Sequence, residues 1–438
     1  MPPRTPKRQQ ATSRPIRSRK PDFTSKHVQD RQPEPLHAPR PLRLATPPVS
    51  GKGPGTPLFR PLTPEMAAFL TGLPTLLNQI MPLSGAHRRT LPDAVHELSG
   101  LLTSERGGLD MPYWSAPRLT SAYIRYFLPW NLVRLGCFLP GLSLPQPTEG
   151  ALIVDLGSGP LTLPLALWLS FPAWRDVPLD ILATDSSGQP LDIGRKLFQL
   201  VAPESPWRIR TLRAPLHKGL RDLRGEPLLI TAGNVLNELA DKRDRRDEST
   251  QAERMAELAS RFASLLHPDG ALLCIEPGNR LGGTVLEQLR AGAMEEGLTP
   301  VSPCPHPNDC PLLDRRGPGS GWCHAALDSG QAPDWLLALS KDAGLGKTGL
   351  SLSHMLLRPK GAPPEHAPAK EGTETARILS DAFAVPGLGL ARYACTGKGL
   401  ALIAASAAIA QGTLIAVRPS RPPQTDPKSG ARVMTAAE

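Results

Sequence analysis

The sequence predicts an α/β fold, a parallel sheet covered by helices on both faces. Two observations carry this. Strand-like and helix-like segments alternate from residue 150 onward, the pattern of right-handed β–α–β crossovers. The first strand also runs into a glycine turn, Asp155-Leu-Gly157-Ser158-Gly159-Pro. Glycine reaches backbone angles closed to other residues and lets a ligand approach the main chain. A strand, glycine turn and helix is how such a sheet presents a nucleotide pocket at its carboxyl edge. Asp155, Gly157, Ser158 and Gly159 are therefore candidate cofactor-binding residues.

The chain has 438 residues, 51 prolines, 39 glycines and only 5% aromatics, with a net charge of +10. Charge is unevenly placed. Residues 1–43 hold eleven Lys/Arg against Asp22, Asp30 and Glu34, so the remainder is close to neutral. Residues 1–56 lack apolar periodicity and are rich in proline, which predicts a disordered basic arm suited to phosphate backbones or to solubility. The arm has no apolar central segment, so it does not read as a secretory signal. No acid precedes Asp22, as in a mitochondrial transit peptide, but prolines at 2, 3, 6 and 15 oppose the amphipathic helix. The expected compartment is the cytoplasm, with the mitochondrial matrix as the alternative.

Residues 57–147 read as a helical domain. Met66, Phe69, Leu70, Leu73 and Leu76 recur at helical spacing, as do Tyr123, Phe127, Leu132, Leu135 and Phe138. Pro129 predicts a break or restart in the second run. Residues 148–300 form the nucleotide-binding domain, with strands at 151–155, 179–184, 227–231 and 271–276 and helices at 161–170, 189–201, 249–267 and 281–297. Asp185 ends the second strand, where an acid accepts hydrogen bonds from ribose hydroxyls, or caps the next helix. Asn234, Asn237 and Glu238 follow the third strand candidate and would hold the cofactor, orient an acceptor or cap the next helix. The mixed-sign run 241–248 reads as a solvated loop. Residues 399–417 carry no charge, but Gln411-Gly412 predicts two strands around a hairpin turn rather than a membrane span. Residues 418–438 read as a second disordered tail.

Of the six cysteines, Cys137 and Cys274 lie in apolar contexts and read as buried thiols. Cys304, Cys310 and Cys323 fall in a proline- and glycine-rich loop that needs something to order it. Thiolate–metal bonds supply that, with Cys395 closing the set. Four thiolates suit zinc or an iron–sulfur cluster. The absence of short C-x₂₋₄-C knuckles weighs against zinc, and free thiols remain the third reading. Residues 301–417 would thus comprise a Cys-rich metal loop and C-terminal strands completing the sheet.

The turn lacks the third glycine of a dinucleotide fingerprint, which would fall near Thr162. Asp-Leu-Gly-Ser-Gly instead resembles the first motif of class I S-adenosylmethionine-dependent methyltransferases, whose usual third glycine is Leu161 here. Further stretches extend the likeness: Tyr-Phe-Leu-Pro-Trp-Asn-Leu (126–132), Asn-Val-Leu-Asn-Glu-Leu (234–239), Ile-Glu-Pro-Gly (275–278), Pro-Cys-Pro-His…Cys-Pro-Leu (303–312), Trp-Cys-His (322–324) and Cys-Thr-Gly-Lys-Gly (395–399). Together they resemble the methyltransferase-like family associated with the mitochondrial small ribosomal subunit and its bacterial relatives.

The resemblance implies a Rossmann-like class I methyltransferase sheet binding S-adenosylmethionine through Asp155, Gly157, Ser158, Gly159, Asp185 and Asn234. It also implies a [4Fe–4S] cluster, or zinc, on Cys304, Cys310, Cys323 and Cys395. The implied function is ribosomal RNA methylation during small-subunit assembly; the alternative is a non-catalytic assembly factor using the same fold to bind that RNA. The expected partner is the small subunit with its RNA, without DNA or membrane, and the protein a monomer. No residue is assigned to catalysis. A thiolate nucleophile for carbon methylation is disfavoured, because no cysteine follows the 227–231 strand.

Overall fold

Runs of branched apolar residues make the centre of the first sheet, because a strand buried on both faces has no polar side to show. Its strands are β1 (Leu152–Leu156), β2 (Asp180–Asp185), β3 (Arg208–Arg213), β4 (Leu229–Gly233), β5 (Ala271–Pro277), β6 (Leu298–Ser302), β7 (Ala325–Asp328) and β8 (Gly349–Pro359). The computed structural model describes residues 55–103, 113–221, 223–241, 250–312, 321–361, 370–404 and 409–437. The basic arm and nearly all of the mixed-sign run 241–248 lie outside them.

The strand order is β3-β2-β1-β4-β5-β8-β6, with β7 also paired to β8. Strands β1 to β5 are parallel, and β8 runs antiparallel to β5, β6 and β7. The chain reverses its direction of travel between β1 and β4, so a crevice opens above their carboxyl ends. Helices Thr162–Ser170, Gly188–Val201, Gln251–Leu265 and Arg280–Glu295 fall where periodicity predicts them. Successive residues of β1 face two cores. Ile153 packs with Leu70, Phe138 and Leu165, whereas Val154 packs with Ile230, Phe262 and Leu289. The N-terminal helices thus share one core with one face of the sheet.

Pro129 does not break its helix. The backbone N–H of Leu128 reaches back five residues to Tyr123 O, and Tyr123–Phe127 form a π-turn between helices Pro117–Ala122 and Leu128–Phe138. The wider turn accommodates the donor that proline lacks. It also sets Tyr123 beside the glycine turn.

Six further strands form a sheet of their own: β9 (Glu374–Ile378), β10 (Phe383–Val385), β11 (Gly389–Thr396), β12 (Gly399–Ala404), β13 (Leu414–Pro419) and β14 (Arg432–Ala436). Their order is β10-β11-β12-β14-β13-β9, and β9 pairs again with β11, which closes five of them into a barrel. Three expectations are corrected here. Of the strands expected in 301–417, β7 and β8 complete the first sheet, but β9 to β13 do not. Strands β12 and β13 are not a hairpin, since both pair instead with β14. Residues 418–437 are no loose tail, because β14 is the strand that joins them. The barrel interior is filled by small residues such as Ala376, Ala394 and Ala401 beside Ile378, Ile403 and Met434, so its strands resemble an alanine-rich loop in sequence.

A half-buried ion pair ties the barrel. Glu374 accepts two hydrogen bonds from the Arg432 guanidinium, each 2.8 Å, and one from Lys398 Nζ at 3.1 Å. These partners hold its carboxyl at about 2. A depressed carboxylate pKa stabilises the fold above the ordinary carboxylate range, and that contribution is lost as pH falls through about 2. We expect Glu374→Gln to cost about 2 kcal/mol at pH 7, after allowance for solvent screening. The penalty should shrink at pH 3, as read by urea titration at both pH values.

Among the described residues no helix is long and apolar enough to cross a membrane.

Candidate functional site

Three acids and an asparagine end adjacent parallel strands. Asp155 sits on β1, Asp185 on β2, Asn234 just past β4 and Glu276 near the end of β5. All six residues expected to bind the cofactor converge on this edge. Asp155, Gly157, Ser158 and Asn234 line one pocket with Tyr123 and Arg134. Asp185 Oδ2 accepts the Gly159 N–H at 2.9 Å, and Oδ1 accepts the Ser187 N–H at 2.9 Å.

The turn is pressed from two sides. A Cβ on Gly157, at φ 65°, would lie 2.8 Å from the Val235 side chain. One on Gly194, in the helix after β2, would lie 2.3 Å from the Pro160 carbonyl carbon. Leu161 adopts φ 56° and ψ 39°, the left-handed region where a leucine is strained by about 1–2 kcal/mol. Its fully buried side chain packs into the core and offsets that strain.

Burial sets the electrostatics. Asp155 accepts from Thr231 Oγ1 at 2.6 Å, and desolvation pushes its carboxyl up to about 7. Its Oδ2, together with Ser158 Oγ and both side-chain polar atoms of Asn237, is buried without a partner. Such a set of orphaned donors and acceptors around a glycine turn fits a polar ligand. Burial likewise raises Asp185 and, most strongly, Glu276, whose carboxyl is pushed up to about 8. The phenol of Tyr123 is raised by burial and by Asp185, and it stacks on Tyr113 with ring centroids 5.8 Å apart. Arg134 is buried, which lowers its pKa to about 10. It donates to Asn131 Oδ1 at 2.8 Å and to Asn234 Oδ1 at 3.4 Å.

Glu276, Arg134, Tyr113, Tyr123 and Gly194 escape a reading of the sequence. Glu276 alone carries a usable signal, an acid closing an apolar strand as Asp155 does. Its Oε1 accepts the Val235 N–H at 3.1 Å and the Leu236 N–H at 2.8 Å, so it caps the helix that presents Asn237. We expect Glu276→Ala to destabilise the protein by about 2–3 kcal/mol, since two part-buried donors lose their acceptor. Glu276→Gln keeps an acceptor and should cost under ~1 kcal/mol at pH 6. A raised carboxyl favours the fold below its ordinary pKa, and that stability is lost as pH rises through about 8. The Gln variant therefore gains on the parent between pH 6 and pH 9, measurable by chemical denaturation.

The four loop cysteines are neighbours. Charge on Cys304, Cys310 or Cys395 bears on Cys323, and burial pushes all four thiols up, Cys310 to about 11. His306 Nε2 lies 3.2 Å from Cys395 Sγ, and Asn308 Nδ2 donates to Gly397 O at 2.7 Å. Buried Arg290 interacts with Cys304 and donates to the carbonyls of His306 and Asn308. The Cys323 N–H donates to Glu287 Oε1 at 3.0 Å. Among the described residues, however, no group of three or more His, Cys, Asp or Glu side chains is arranged to hold a metal ion. Residues 313–320, between Cys310 and Cys323, lie outside them. Neutral buried thiols have no mutual attraction; a cation's charge is what draws thiolates into a coordination set. Cys137 and Cys274 are fully buried as expected.

Residues 146–331 match the model of the family described as mitochondrial small ribosomal subunit Rsm22. That match spans less than half of the chain. Among solved structures, the chain is similar to a precorrin-6y C5,15-methyltransferase from Geobacter metallireducens, at 13% identity over 53% of this chain and 87% of that one, TM-score 0.30. It is also similar to a methyltransferase from Pyrococcus furiosus, at 14% identity over 35% and 67%, TM-score 0.25. A third is geranyl diphosphate C-methyltransferase from Streptomyces coelicolor, at 11% identity over 55% and 80%, TM-score 0.27. No curated protein matches the chain.

Proposed function

We propose that this protein is a member of the Rsm22 family and an S-adenosylmethionine-dependent methyltransferase of small-subunit ribosomal RNA that acts during subunit assembly. One observation carries the reading: the Asp155–Gly159 turn, ringed by orphaned buried polar atoms, stands with Asp185 at the strand-order reversal. S-adenosylmethionine supplies an activated methyl group on a sulfonium. The protein's part is then to hold and orient. Gly157 and Gly159 let the backbone come close, while Asp185 accepts from ribose hydroxyls. Asn234, held at φ 57° and touched by Arg134, faces the acceptor side.

The cysteine set is part of the proposal. Four cysteines from three chain segments, three of them half-buried and Cys395 buried, influence one another electrostatically beside Arg290, whose charge offsets that of thiolates. The proposal assigns them a [4Fe–4S] cluster, or zinc, on whose binding the side chains would draw together, ordering the loop and tying it to β11. The family description names the mitochondrial small subunit, which favours the mitochondrial matrix over the cytoplasm. RNA as the direct partner and a monomeric state complete the reading.

The decisive experiment incubates purified protein with methyl-labelled cofactor and immature small subunits. Label in the RNA that disappears in Asp185→Ala supports the reading. Cofactor binding without label in RNA would instead favour an assembly factor that uses the fold as a platform.

A further inference from the structure

The barrel follows a specific topology. With β9, β11, β12, β13 and β14 as its first to fifth strands, the closure is first–second–third–fifth–fourth–first. The third and fifth strands are parallel, and the other pairs antiparallel. This is the strand order of an oligonucleotide-binding barrel, which takes its ligand on the outer face of strands two and three, between the first–second and fourth–fifth loops.

The residues on that face suit such a ligand. Interior positions are taken by Ala394, Ala401, Ile403 and Met434, so alternation turns Ala391, Tyr393, Leu402 and Ala404 to the other face. There Ala391 and Leu402 are buried in a second apolar cluster, and Phe383, Tyr393 and Ala404 stay partly exposed on it. The register sets Phe383, Ala391, Ala404, Thr435 and Arg418 side by side across five strands. Strand spacing makes this row about 19 Å long, the length of a few nucleotides. At one end Phe383, from the first–second loop, packs against Tyr393 with ring centroids 5.0 Å apart. At the other lie exposed Arg418 and, on the fourth–fifth loop, exposed Arg421 and Lys428. Aromatic rings offer stacking surfaces to bases and the cations neutralise phosphates.

A second observation agrees. Thr56 pairs with Leu414 on β13, through hydrogen bonds of 2.8 and 2.9 Å. Thr56 is thereby held on the strand that carries Arg418.

We propose that this barrel face binds single-stranded RNA, with Phe383 and Tyr393 stacking bases and Arg418 and Arg421 contacting phosphates. The choice of RNA rests on the ribosomal reading above, whereas the site is separate from the cofactor edge. The test is fluorescence anisotropy of the full chain with a labelled ten-nucleotide oligouridine. Phe383→Ala should weaken binding about 5- to 100-fold, while Phe383→Tyr retains it. Arg418→Glu with Arg421→Glu should weaken it at least about 10-fold and flatten the salt dependence by roughly one to two counterions. Unchanged affinity in these exposed-charge variants, melting like the parent, overturns the proposal. So does equal affinity for duplex RNA, or binding lost only when the arm is removed. Asp185→Ala separates the two readings: it should abolish methyl transfer and leave oligouridine affinity unchanged.

Discussion

Asp185→Ala is expected to weaken S-adenosylmethionine binding about 100-fold and to lower stability by about 2–3 kcal/mol, since the Gly159 and Ser187 N–H groups lose their acceptor. A carboxylate has roughly four lone-pair positions. In Asp185 the N–H groups of Gly159 and Ser187 take two, and the Ser186 hydroxyl takes a third that a vicinal diol would displace. Hydrogen bonds to a charged acceptor contribute about 1.5 kcal/mol or more each, so loss of the two to the diol is about 3 kcal/mol, hence the factor of 100. Asp185→Asn keeps an acceptor oxygen and should lose only about tenfold. Since burial raises the Asp185 pKa, affinity should fall as pH drops through that raised value, because the protonated acid accepts more weakly. Calorimetric titration with the cofactor reads all three effects. Parent-like affinity in the alanine variant would remove the ribose role.

The cofactor edge was legible because its chemistry is local. Asp155 through Gly159 make their turn from consecutive residues, and Asp185 follows from strand length alone. What stayed hidden is assembled at a distance. Arg134 reaches Asn234 across 100 positions, and Tyr123 arrives through a π-turn that no period reveals. Gly194 looks like an ordinary helical glycine until the helix is laid on Pro160. Strand β3, with Arg208, Arg210 and Arg213 exposed at a sheet edge, lacks the apolar run that marks a buried strand. The barrel was missed for another reason. Its interior is narrow enough to be filled by alanines, so its strands lose the alternation of large and polar residues on which strand reading relies. Parallel pairing of β12 with β14, across more than twenty residues, leaves no turn signal to read.

The second large effect concerns the cysteines. Under the proposed cluster, Cys323→Ser should abolish iron loading and the brown colour expected of protein purified without oxygen, with a fall in stability far beyond that of a surface substitution. Cys323 is the thiol whose surroundings include each of the other three, and its backbone N–H is anchored by Glu287. Losing one of four ligands opens the set. Metal binding to such sites is worth about 10–16 kcal/mol for structural zinc in small domains, so even partial loss exceeds a typical core mutation. Cys137→Ser is the control: that thiol is fully buried and far from the loop cysteines in chain and partners, so it should lower stability and leave metal content intact. Metal analysis with thermal melts of both variants separates the cases. Colourless protein with stoichiometric zinc would change the metal and keep the four ligands. Equal metal content in Cys323→Ser and parent would remove Cys323 from the set, and with it the reason these distant segments share one neighbourhood.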